Sequence, residues 1–146
     1  MFLIVRAAGR RCALAVADVV ETMRPLPVQD VGGAPSFVRG LAMIRGAPTP
    51  VVDLASWLGV TSAGPARWVA VRAGGRPVAL AVDAVVGIRA LDDARLQEAP
   101  PLLREATAER VELLGALDAD LLIVLRTARV VPDEVWAHPN RKESVS

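Results

Sequence analysis

The chain has 146 residues, 53% of them hydrophobic and 23% charged, which is enough apolar material for a core and too much for a disordered segment. Seventeen basic residues against sixteen acidic ones leave a net charge of +1, which excludes a general field for nucleic acid or anionic membrane. A single cysteine, Cys12, excludes an internal disulfide and a cysteine cage for metal.

The apolar start, Met1 to Val5, is shorter than a signal peptide core, and no run approaches the roughly 18–20 apolar residues of a membrane span. A cytoplasmic chain without direct membrane insertion is the expectation. Leu3-Ile4-Val5 then reads as a strand, Ala7-Ala8-Gly9-Arg10 as a turn, and Cys12 to Val16 as an apolar return strand. Cys12 in that run reads as a small buried hydrophobe. Pro25 to Ser36 is a loop candidate. Phe37 to Gly46 is a strand that leads through Ala47-Pro48-Thr49-Pro50 into Val51-Val52. The two prolines cannot donate to a ladder, so this second strand should start at an edge or out of pairing. Asp53 to Gly59 carries an acidic N-cap, apolar positions at 54, 57 and 58, and a glycine stop, and so predicts a short helix.

From Trp68 the chain repeats itself. A shift of 66 residues sets Val5, Arg6, Ala7, Gly9, Arg10, Ala13, Leu14, Ala15, Val16, Val19 and Val20 on identical residues at 71, 72, 73, 75, 76, 79, 80, 81, 82, 85 and 86. An ungapped run with the same glycine and arginine in the turn marks a duplication. Val69 to Val82 is therefore a second hairpin, turning at Ala73-Gly74-Gly75-Arg76. Thr61 to Ala66 and Leu91 to Pro100 are loop candidates, and Pro101 to Arg110 a helical turn or two. Val111 to Leu117 leads through Asp118-Ala119-Asp120 into Leu121 to Leu125, a looser echo of the strands around Gly46. Thr127 to Trp136 predicts a terminal helix interrupted by Pro132. The domain spans 1–138, and residues 139–146 form a polar tail. Two similar barrels of about five strands follow; neither is large enough to bury a core alone, so they share apolar surface.

Chemistry is sparse. The only histidine, His138, stands beside Pro139 with nothing nearby to orient it, and no metal-ligand spacing occurs. Asp53 and Asp83 end apolar strands in similar phrases and could be imagined as an acid/base pair, but capping or turn roles explain both. No glycine-rich phosphate cradle or nucleophile elbow is present, and the lack of Tyr and scarcity of Phe argue against a base-stacking surface. A non-enzymatic binding module without cofactor or metal is the reading of the residues.

Pro35 to Leu54 (PSFVRGLAMIRGAPTPVVDL), together with Val19-Val20-Glu21, Leu80 to Val85 and Leu114-Gly115-Ala116, resembles the CheW-like coupling proteins of bacterial chemotaxis in order and spacing. The resemblance covers Phe2 to about Val131 and implies an all-β fold of two interlocked SH3-like five-stranded barrels sharing a hydrophobic core. It implies an adaptor that bridges the cytoplasmic tips of chemoreceptors to the regulatory domain of a CheA-type histidine kinase. By position, the receptor-facing groove would draw on Val19, Glu21, Gly40, Arg45, Val85 and Ile88. The chain departs from the family pattern at Met43, where the family often has Asn, and at Met1, which abuts the first strand where the family commonly carries a polar lead. A divergent adaptor that keeps only one of the two interfaces is the alternative. For Glu21 and Arg45, the reading beside partner binding is an intramolecular salt bridge that shapes the turn.

Overall fold

The computed structural model describes residues 1–60 and 67–91, and the backbone of three further strands at 97–98, 111–117 and 120–125. In chain order the elements are β1 (Phe2–Ala7), β2 (Arg10–Ala15), a 3-10 turn (Val16–Asp18), β3 (Val19–Met23), β4 (Val38–Ile44), β5 (Ala47–Asp53), α1 (Leu54–Trp57), β6 (Arg67–Ala73), β7 (Arg76–Val82), β8 (Ala84–Arg89), β9 (Gln97–Glu98), β10 (Val111–Leu117) and β11 (Asp120–Leu125). The expected helices at 101–110 and 127–136, the loop at 61–66, His138 and the polar tail lie outside the described residues.

The duplicated hairpins turn as their glycines require. Ala8-Gly9 and Gly74-Gly75 all hold positive φ, the conformation of a two-residue turn matched to strand twist. The strand after each hairpin then leaves its own sheet. β3 pairs with β6 of the second copy, setting Val19 opposite Val71, and β8 pairs with β1 of the first, setting Val85 opposite Val5. Two sheets result, ordered β8-β1-β2-β11-β10-β9 and β3-β6-β7-β5-β4, each built from both halves of the chain. The parallel contacts obey the same symmetry, β11 on β2 and β5 on β7. So do the bulges: Val20 in β3 and Val86 in β8 are each the extra residue of their ladder, and both are exposed.

One face of each sheet closes on the other. Leu3, Val5, Cys12 and Leu14 share a buried cluster with Val52, Val69, Val71, Val78, Leu80 and Val82, which is the common core of the interlocked barrels. The alternate residues of the five-stranded sheet, Trp68, Ala79, Ala81, Val51, Ala42 and Ile44, form a second cluster inside the curl of that sheet. Met23 of β3 packs against this cluster, and Glu21 of β3 accepts a hydrogen bond from Arg45 at the β4–β5 turn although β3 and β4 are opposite edges of the sheet, so the sheet is rolled into a barrel. Small Ala on the inner side permits the tight curvature.

Two expectations are refined. β5 begins at Ala47, so Pro48 and Pro50 lie within it, opposite Met43 and Leu41 of β4. They are tolerated because β7 pairs only with Val51 to Asp53, leaving the prolines' far side outside a ladder. The loop expected from 91 to 100 contains β9, which adds a sixth strand to the first sheet.

Candidate functional site

The site is built where the five-stranded barrel closes. The β4–β5 turn is Arg45-Gly46, with both residues at positive φ (50° and 78°). For Arg45 this left-handed conformation costs about 1–2 kcal/mol. From the turn the Arg45 Nε donates to Glu21 Oε2 at 2.6 Å, joining the tip of β4–β5 to β3. The Arg45 side chain is 76% exposed and that of Glu21 28%, so the pair is presented to solvent with the carboxylate half-sunk. The hydrogen bond from Arg45 is the chief cause that lowers the Glu21 pKa, and the same bond raises that of Arg45.

Two residues before Glu21 on β3, Val19 is half-buried and packs on the shared core, and Val85 does the same from the duplicated position on β8. Ile88, opposite Leu3 across β8 and β1, is 56% exposed. Gly40 has a different part. It sits at a bulge of β4 with φ 143°, directly beneath the main chain of Gln29, and a Cβ there would collide with the Gln29 carbonyl oxygen. Of the six expected residues, Glu21 and Arg45 therefore meet directly, Val19 and Val85 occupy equivalent places on one core, and Gly40 serves a backbone approach.

The loop at 25–36 contains surface that sequence reasoning passed over. Gln29 N–H donates to Leu41 O and Leu41 N–H to Gln29 O, at 2.8 and 2.9 Å. Leu26, Pro27 and Val28 thereby line an open groove with Leu41 and Met43, and Leu26, Val28 and Met43 are exposed. The signal available was the apolar Leu26 and Val28 set between prolines in a loop.

The acids read as structural are so. Asp53 caps α1 by accepting from Ser56 N–H, and its other oxygen holds Arg39 at 2.6 Å. Asp83 accepts from Ala8 N–H in the first hairpin turn, while its own N–H donates to Arg6 O, tying the two halves together. Cys12 is fully buried, and burial pushes its thiol pKa up to about 12. Among the described residues no three His, Cys, Asp or Glu converge on a metal position, and no helix is long and apolar enough to cross a membrane.

A duplicated pair of barrels with strands exchanged between them, presenting an ion pair and exposed apolar side chains, defines an interaction module. The CheW-like domain family matches residues 1–135, and the chain belongs to that family. It is 30% identical over 132 residues to a chemotaxis protein CheW of Rhizobium meliloti, covering 88% of this chain and 85% of that one. It is 24% identical over 139 residues to a chemotaxis protein CheW of Klebsiella aerogenes, covering 93% and 84%. Among solved structures, the scaffolding protein TtCheW of Thermoanaerobacter tengcongensis is similar with a TM-score of 0.75 at 25% identity, over 85% of this chain and 86% of that one.

Proposed function

We propose that this protein is a cytoplasmic scaffold that couples the tips of chemoreceptors to the regulatory domain of a CheA-type histidine kinase, by binding and without catalysis. The observation that carries the reading is the Glu21–Arg45 pair on the rim of a CheW-like barrel, exposed and two residues along β3 from the half-buried Val19. A receptor tip is helical, and apolar contacts from Val19, Val85 and Ile88 would supply affinity while the charges set orientation. Gly40 contributes by seating Gln29 beside β4 rather than by touching the partner.

The test is a pull-down with receptor tip fragments, with Arg45→Glu as the variant. Receptor capture is expected to fall about tenfold or more, with the melting midpoint nearly unchanged because an exposed pair adds little stability. A large loss of stability without a specific loss of capture would sink the reading. Titration with the isolated kinase regulatory domain measures the second interface separately.

A further inference from the structure

Among the described residues, the five-stranded barrel is closed along the outer edge of β4 by a single residue pair. Leu41 and Met43 lie opposite Pro50 and Pro48, which have no N–H, and Leu41 turns its own N–H and C=O away from β5 to Gln29. By the two-residue period of a strand, the N–H and C=O of Met43 face the same outward side. Antiparallel continuation of the Gln29–Leu41 bridge would bring Pro27 opposite Met43, and proline has no donor to extend the ladder. Apart from the Gln29–Leu41 pair, the covering segment, Arg24 to Asp30, is exposed throughout and is flanked by Met23, packed on the inner cluster, and the buried Val31. Gly40 keeps the cover in place, since any Cβ would press on Gln29. Barrels remove edges by closing; here the removal depends on two hydrogen bonds.

We propose that the Gln29–Leu41 pair is a latch: seated, it withholds the outer edge of β4, and released, it opens that edge to β4 of a second copy of this chain. The edge suits a copy of itself. An antiparallel two-fold pairing centred on Leu41 sets Leu41 of one copy against Leu41 of the other and Arg39 near Met43 rather than near a second Arg39, so apolar side chains meet at the centre and like charges do not oppose.

Three measurements on the full chain test the latch. In the unmodified protein, hydrogen exchange at the Leu41 amide is expected to be at least about tenfold faster than at the Ala42 amide, which faces β5. Equal protection of the two would overturn the latch. By light scattering across a concentration series, Gln29→Pro, which removes the donor to Leu41, and Gly40→Ala, which lifts the cover, are expected to dimerise roughly tenfold more tightly than the unmodified chain. Adding Met43→Lys to either is expected to restore the monomer by placing a charge on the edge. A variant that melts cooperatively yet associates no more than the unmodified chain, or associates in a way Met43→Lys leaves intact, overturns the proposal. Should neither variant fold, the exchange ratio in the unmodified protein decides.

Discussion

Arg45 reaches across the opening of a rolled sheet to Glu21, from a turn in which its own backbone is strained. Its partner stands on β3, the opposite edge of the sheet from β4. An ion pair so exposed adds little stability; under the proposed function it orients the receptor tip. Replacing Arg45 by Gly removes the charge and relieves the positive φ together. Melting by calorimetry should stay within a few degrees of the parent, while capture of receptor tips drops about tenfold. Normal receptor binding by the Arg45→Gly variant would remove Arg45 from the interface.

The same pair sets the response to acid. The folded pKa of Glu21 is depressed, so the contribution of the pair is present above the ordinary carboxylate pKa and is lost as pH falls through the depressed value. Receptor binding should therefore be flat across neutral pH and decline only in acid. A carbon-detected NMR titration of Glu21 is expected to show a midpoint below that of a model peptide, and to return toward it in Arg45→Gln.

Asp53 has two loads, the cap of α1 and the hold on Arg39. Asp53→Ala should cost about 1–3 kcal/mol in a denaturant titration, from the lost cap and the lost charged hydrogen bond. Asp53→Asn retains a capping oxygen and should cost less. Equal losses would mean that the ion pair, which leaves Arg39 half in solvent, carries the effect.

Cys12 is sealed in the shared core with its thiol pKa pushed up to about 12, so the reactive thiolate is scarce at neutral pH. A thiol reagent should leave the native chain unmodified and label it at the rate of unfolding in denaturant. Rapid labelling of the folded protein would contradict the burial.

Leu80 is fully buried in the cluster that both sheets build, and Leu80→Ala should cost about 2–5 kcal/mol. Because the barrels share that cluster, unfolding should remain one transition, with no half melting alone. Val86→Thr, on the exposed bulge of β8, should change stability by less than about 0.5 kcal/mol.

The residues alone determined what is local. The repeated Gly-Arg turns, the apolar return strands at Cys12 and Val78, and the Asp53 cap are written in turn chemistry and side-chain period, and each forms at or beside its expected place. The family resemblance added the candidate groove. Only the tertiary structure decided which strand pairs with which. β3 and β8 leave their hairpins for each other's sheets, setting Val19 opposite Val71 and Val85 opposite Val5, and both valines thereby pack on the core that the two halves share. The prolines of β5 and the approach of Gln29 to Gly40 depend likewise on neighbours distant in sequence. Periodicity records which side of a strand is apolar; the identity of the strand that covers it is settled by closure of the whole chain on one core.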